Sequence, residues 1–395
     1  MRSLLVAGFL VVAGCGSRPA SSTLPTQNPT VVPAADLGVA RGSALRDPGD
    51  GHLVSKDPRI VDLDIIRITA TSRGIGGDPH TDHVATSDLF KEATAAAKAG
   101  ETERAIGIFR RLVSEFPESG YAPASLFNIG AIYDGRRDLP ATIAVLRELV
   151  KAYPATRESI EGHLYIAALH TDHSQFPEAL TTTDEVLART NLTYADRIEA
   201  FARRGYILIE LRRHEEAEVA LDAAIADFRK VTALEDTYYI AMASYYRGEL
   251  AHRRFTDAPV RLPDDQLIAD LEAKRVHAVK AYDYWRESLQ FKQAYWATAS
   301  GYQMSQIFVE LWQAHVRAPY PRRIDAATRP RYVTEVHDRV REHLEKALEG
   351  HRMNVELAKA YGVETAWSRA SAEQTVKVME LLAREASGVY ITPAS

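Results

Sequence analysis

Between residues 105 and 229 of this chain, one set of four positions returns at a nearly constant interval. Ala105, Phe109, Leu112 and Pro117 are matched 37 residues later by Thr142, Leu146, Leu149 and Pro154. The set returns after another 37 as Ala179, Thr183, Val186 and Asn191, and after 38 more as Ala217, Leu221, Ala224 and Arg229. Within each set the first three members stand at i, i+4 and i+7, which places them on one face of a helix. An interval of this size holds two short helices and their turns, and a single such pair cannot bury its own apolar face. Stability must then be shared along a stack, so the expected fold is an all-α solenoid of helix-turn-helix units.

The second copy carries the fullest pattern. Leu126, Ile129, Gly130 and Tyr133 lie on its first helix, and Pro154 ends its second. This resembles the tetratricopeptide repeat: a large residue, Leu-Gly, a tyrosine, a small residue and a closing proline. The resemblance covers residues 86 to about 230 and implies about five to six repeats, the last ones irregular. Small residues where paired helices meet, Ala93 with Ala105 and Gly205 with Ala217, allow close approach. Phe109 and Leu221 would fill the space toward the neighbouring pair.

Past residue 235 the spacing loosens. A helix is expected over 236–255, then a loop with Pro259 and Pro263, then helices over 266–291, 293–317, 331–360 and 366–387. Val336, Val340, Leu344 and Leu348 form a stripe at helical spacing, which marks that helix as packed. This region is rich in aromatics. Either they fill space between long helices or they form a partner-binding surface, for which Trp285 and Trp296 are the candidate contacts.

The start of the chain reads differently. A basic Arg2, an apolar run from Leu4 to Val12 and the closing Val12-Ala13-Gly14-Cys15 form a signal too short to span a bilayer as a helix. It resembles the signal of bacterial lipoproteins, which implies cleavage before Cys15 and lipidation of its sulfur and new amino group. Two or more acyl chains anchor stably. Gly16, in place of the aspartate that retains such proteins at the inner membrane, implies the outer membrane, facing the periplasm. Pro19, Pro25, Pro29, Pro33, Pro48 and Pro58 among small polar residues mark a tether over about 16–58. The expected organisation is therefore a signal at 1–14, a lipidated, disordered tether with a short extended segment at 15–85, regular repeats at 86–234, and irregular helices at 235–395.

The extended segment begins near Ile60. Thr69-Ala70-Thr71-Ser72-Arg73-Gly74-Ile75-Gly76 looks like the nucleotide-binding turn of short-chain dehydrogenases. Ala70 replaces its first glycine, and Gly77-Asp78-Pro79 follows where the phosphate-binding helix should start. Two readings remain: a strand lying along the helical domain, or a strand that joins a partner's sheet edge.

Charge and chemistry narrow the function. The 53 acidic and 48 basic residues are interspersed, leaving no basic field for nucleic acid. The single cysteine excludes a disulfide framework. His80-Thr-Asp-His83 and His170-Thr-Asp-His173 repeat one tetrapeptide, but no His-Glu-x-x-His accompanies them, so they read as solvated turn histidines without metal. Glu158-Ser159 and Glu287-Ser288 resemble the catalytic pair of lytic transglycosylases without that family's surrounding motif. No cofactor, metal, catalytic residue or small-molecule substrate is expected.

Chaperone-binding tetratricopeptide proteins hold a terminal carboxylate with a lysine–arginine–asparagine clamp on the inward face of their first helices. The corresponding positions here are taken as Phe90 and Thr94, Phe127 and Ala131, Leu164 and Ala168, then Ala202 and Tyr206, and they hold no clamp. They form either an apolar groove for a helix or extended segment, or the packing between repeats. The stretch from Ile106 to Pro117, with Ser119, Tyr121 and Ala124, resembles periplasmic members: the accessory lipoprotein of outer-membrane barrel assembly and the factor coordinating envelope constriction. Pilus secretin pilotins and gliding-motility lipoproteins share the plan. The resemblance implies a membrane-anchored scaffold binding other envelope proteins. The alternative is an accessory to, or remnant of, a peptidoglycan-acting solenoid enzyme.

Overall fold

A computed structural model describes residues 45–46, 66–72 and 79–393. Cys15, the apolar run before it and the proline-rich stretch, apart from Leu45 and Arg46, lie outside the described residues. Among the described residues the fold is a two-stranded hairpin followed by thirteen helices. The helices form two compact units that divide at Leu192/Thr193, whereas the regular sequence spacing runs on to about residue 230.

In the N-terminal unit, β1 (Ile66–Ser72) pairs antiparallel with β2 (Pro79–Ala85), Ile66 opposite Ala85 and Ser72 opposite Pro79. The segment that looked like a nucleotide-binding turn thus leads into a strand and not into a helix. Arg67 fixes β1 to the helical body: its guanidinium donates to Glu115 Oε2 at 2.8 Å and the Glu115 carbonyl at 3.0 Å, and lies over the Phe116 ring. This is the first of the two readings of the extended segment.

Three helix pairs follow: α1 (Thr86–Lys98) with α2 (Thr102–Glu115), α3 (Tyr121–Gly135) with α4 (Leu139–Ala152), and α5 (Arg157–Asp172) with α6 (Phe176–Leu187). Each helix packs on the next, and the first helices of successive pairs also touch, α1 on α3 and α3 on α5. The C-terminal unit continues with α7 (Tyr194–Glu210), α8 (His214–Phe228), α9 (Tyr238–Asp257), α10 (Asp264–Gln290), α11 (Ala294–Val316), α12 (Arg329–Ala360) and α13 (Ala366–Ala386). The four long helices at the end are those the sequence pattern placed there.

The repeating positions are the core. Ala105, Phe109, Leu112, Thr142, Leu146, Leu149, Ala179, Thr183, Val186, Ala217, Leu221 and Ala224 are all fully buried. Burying side chains of the size of Leu or Phe contributes about 1.5–3 kcal/mol each, which is why these positions tolerate only apolar or small residues. Thr142 and Thr183 satisfy their hydroxyls on the preceding turn, at the carbonyls of Asp138 and Ala179. Gly130, Gly162 and Gly205 face the side chains of Leu146, Leu149 and Leu221, closer than a Cβ would permit at Gly205.

The turns inside each pair repeat as faithfully as the core. Gly100, Arg137, Ser174 and Arg212 all take positive φ, between 56° and 80°, at intervals of 37, 37 and 38 residues. In each, the next residue's amide reaches back five positions: Glu101 to Ala96, Asp138 to Tyr133, Gln175 to His170 and Arg213 to Leu208. This ring closes the first helix of the pair by satisfying a carbonyl that would otherwise end unpaired. Entry into the helices is set by capping: Asp138 accepts from Ala141, Thr156 from Ser159, and Thr193 with Asp196 and Thr365 with Ser368 form reciprocal caps.

Candidate protein-binding surfaces

In the N-terminal unit, α3 and α5 carry a short polar strip beside the apolar cluster. Asn128 of α3 is fully buried, and Glu161 of α5 nearly so. Leu45 and Arg46 lie on this strip. The Arg46 amide donates to Asn128 Oδ1, and Asn128 Nδ2 donates back to the Arg46 carbonyl at 2.8 Å. The Arg46 guanidinium pairs with Glu161 and stands 5.3 Å from the centre of the Phe127 ring. Leu45 packs against the apolar cluster that runs through α1 to α5. Glu161 is held from its own helix by Arg157, 2.9 Å away. Beside it, the Tyr165 hydroxyl donates to Asp134, and burial, reinforced by that carboxylate, pushes the phenol well above its ordinary range. Tyr165 is the residue 37 positions after Asn128, so two successive repeats contribute their equivalent residue to one surface.

Of the two readings left for the inward-face positions, packing between repeats accounts for most of the side chains, while the Phe127 ring also meets Arg46. Phe90, Phe127, Ala131, Leu164, Ala168, Ala202 and Tyr206 are buried, and Thr94 is half-buried. Phe90 meets Phe109 and Tyr121 edge-on or tilted, and Tyr206 lies tilted against Tyr246, so both pack within the body of the protein. The residues that contact the seated segment through polar groups are Asn128 and Glu161. Asn128 lies one position beyond Phe127, a rotation of about 100° around the helix. A polar asparagine inside an apolar helix was the available sequence signal.

In the C-terminal unit, Trp285 and Trp296 are fully buried and cannot be surface anchors. Trp285 fills the hollow at Gly248 and lies 5.5 Å from the His252 ring. Trp296 is enclosed by Tyr238, Tyr245, Tyr246 and Tyr295 at ring-centre distances of 4.9–5.7 Å. The aromatics thus fill the space between long helices. A cleft of about 700 Å³ between α10, α11 and α12 has a mixed aliphatic and aromatic lining that includes Val279, Tyr282, Met304, Phe308, Met353 and Leu357. The stripe read on α12 is packed, with Val340 and Leu344 against Trp312 and Val378.

The chemical candidates are placed as structural groups. His170 is buried, contrary to the expectation of a solvated turn, and hydrogen-bonds Gln175 at 2.7 Å; His173 donates to the Leu169 carbonyl. The matching tetrapeptide from His80 to His83 is part of β2, so one sequence takes two backbone forms. Ser159 Oγ accepts from Arg189 at 3.3 Å, and Ser288 Oγ donates to the Ala241 carbonyl at 2.8 Å. Among the described residues, no three His, Cys, Asp or Glu side chains are grouped to hold a metal, and no helix is long and apolar enough to cross a membrane.

Helix pairs repeating at this interval define a helical-repeat protein, and residues 89–119 match the family described as tetratricopeptide repeat. No curated protein is significantly similar to the chain in sequence. Among solved structures, the chain is similar to a tetratricopeptide repeat protein from Parabacteroides merdae, at 13% identity over 74% of this chain and 98% of that one, with a TM-score of 0.33. It is also similar to the apo form of RapI, at 13% identity over 76% and 98% of the two chains, TM-score 0.38. A double mutant of MamA matches at 14% identity over 51% and 95%, TM-score 0.34.

Proposed function

We propose that this chain is a non-catalytic scaffold, anchored by lipid at Cys15 to the outer membrane and facing the periplasm, that binds other proteins of the cell envelope. The observation that carries the binding half is the strip on α3 and α5, where Leu45 and Arg46 are held through main chain as well as side chains. A surface that hydrogen-bonds both an amide and a carbonyl of a peptide is suited to binding proteins. The anchoring half rests on the small residues that close the apolar run directly before Cys15.

Cys15→Ser tests the anchor. Cells fed an alkyne-tagged fatty acid should label the wild-type chain and fractionate it with the outer membrane, while the variant should lose both label and membrane association. Equal labelling of the two removes the anchor. Crosslinking of the wild-type chain in cells, followed by affinity capture, should recover envelope proteins in fixed proportion to it; recovery of cell-wall fragments alone would favour a murein-positioning role.

A further inference from the structure

We infer that the strip formed by Asn128, Glu161 and Phe127 is a peptide-recognition site that the chain fills with its own Leu45–Arg46 segment, so that a partner enters only by displacing it. The inference rests on the scaffold reading above and gives that scaffold a resting state. Its ligand chemistry is specific: a peptide with an apolar residue followed by an arginine.

Three features argue that the strip is built for a ligand. Asn128 is fully buried, yet its side-chain amide makes both of the bonds described here to residue 46, a partner 82 positions away. An amide that donates and accepts toward one residue does what a neighbouring β-strand does, and so fixes a main chain whatever its sequence. Glu161 adds selectivity. It is a buried carboxylate already paired with Arg157 on its own helix, and it takes a second guanidinium from the segment. Phe127 supplies the flat face on which that guanidinium rests. Leu45 completes the motif by entering the apolar cluster one residue earlier.

A segment joined to its own groove acts at an effective concentration of about millimolar, so a free peptide must compete against it. The apparent affinity for any competitor falls by the fraction of molecules whose groove is open. Loss of the segment's Leu-Arg pair should therefore strengthen binding in trans.

The test uses the full-length chain in detergent and a synthetic peptide of residues 41–50, Arg-Gly-Ser-Ala-Leu-Arg-Asp-Pro-Gly-Asp. Titration calorimetry should show the peptide binding the Leu45→Ser/Arg46→Glu double variant at least about tenfold more tightly than wild type. Adding Asn128→Ala to that double variant should abolish binding. Equal affinity for wild type and double variant, or no binding to any form, overturns the inference. Hydrogen exchange supplies a second reading that does not depend on affinity in trans. The Arg46 amide should exchange at least about tenfold more slowly in wild type than in Asn128→Ala, while the α3 and α5 amides remain protected in both, showing that the variant folds. An Arg46 amide equally fast in both also overturns it. The two proposals fail separately: capture of envelope partners that is unchanged by Asn128→Ala and by the double variant sinks the groove and leaves the scaffold, whereas a displaceable segment without any captured partner does the reverse.

Discussion

Gly248 of α9 has no side chain because the indole of Trp285 from α10 occupies the place of one: a Cβ there would stand 2.4 Å from Trp285 Cδ1 and Nε1. The ring is rigid and fully buried, so it cannot swing aside. Gly248→Ala should therefore destabilise the C-terminal unit by about 1–3 kcal/mol, although alanine is the better helix former. Gly107 on α2 is the control. Nothing lies within 4 Å of its missing Cβ, so Gly107→Ala should stabilise by up to about 1 kcal/mol. Urea unfolding of both variants measures the contrast, and two shifts of the same sign would refute the packing argument.

Arg137, Ser174 and Arg212 hold the left-handed turn conformation that Gly100 adopts without strain. A side chain in that region costs on the order of 1 kcal/mol. Arg137→Gly should then raise the stability of the N-terminal unit by about 0.5–1 kcal/mol, and Gly100→Ala should lower it by a similar amount. Thermal melts of the two variants, each against wild type, decide it; a destabilised Arg137→Gly would mean that the Arg137 side chain stabilises more than its backbone strains.

His343 and His351 are pushed down to about 4, His343 by burial with help from His315 and Lys346, His351 by burial. The unfolded chain binds those protons first, near pH 6.5. Stability is thus full above pH 6.5 and is lost as the pH falls from 6.5 toward 4, by an order of magnitude of ~3 kcal/mol per histidine. His252 acts in the opposite sense. Burial opposes its proton, but Glu310 together with Glu249 raises it on balance, so its contribution is lost as the pH rises above its folded value. Unfolding followed at pH 7 and pH 4.5 should show the acid loss, smaller in His351→Gln; an identical loss in that variant would remove His351 from the account.

Arg203 and Glu199 are both buried on α7, 3.1 Å apart, and Arg203 also donates to the Tyr239 hydroxyl at 2.6 Å. Truncating one member leaves the other charge poorly compensated in the interior, which costs about 3–5 kcal/mol, whereas replacing both with apolar groups costs less. Arg203→Met should thus be more destabilising than Arg203→Met combined with Glu199→Leu. A double variant at least as unstable as the single one contradicts this.

How much of this was legible in the sequence depends on which physical rule wrote it. The helical core was, because Phe109, Leu146 and Leu221 follow a period that burial alone enforces. The long helices were as well, since Pro259, Pro319 and Pro330 punctuate them. The left-handed turns were half visible: Gly100 announces one, while Arg137, Ser174 and Arg212 take the same backbone with no residue preference to betray it. The contacts that seat Arg46 were partly legible: Phe127 stands among the inward positions, and Asn128, one position on, does not. Phe127 and Leu164 read as groove or as packing between repeats; the structure buries both, along with Asn128 and Glu161, and sets the Phe127 ring beneath the Arg46 guanidinium. The tryptophans were left open for a related reason: composition shows that α10 and α11 are aromatic, but only packing decides that Trp285 and Trp296 fill the interior, as one of the two readings had it, while Val279 and Met353 remain at the surface. Leu45 and Arg46 carry no signal of their own, since a two-residue anchor in a proline-rich stretch has no period to detect.

All four tryptophans, Trp285, Trp296, Trp312 and Trp367, belong to the C-terminal unit, and all four are buried. Indole emission is therefore a spectroscopic window onto one half of the molecule. Excited at the red edge of protein absorbance, the chain reports the environment of residues beyond 193 and says nothing of the helices before them, whose light comes from tyrosine alone. A melt watched in that channel and one watched by backbone ellipticity need not coincide, and the gap between them would measure how independently the two halves come apart.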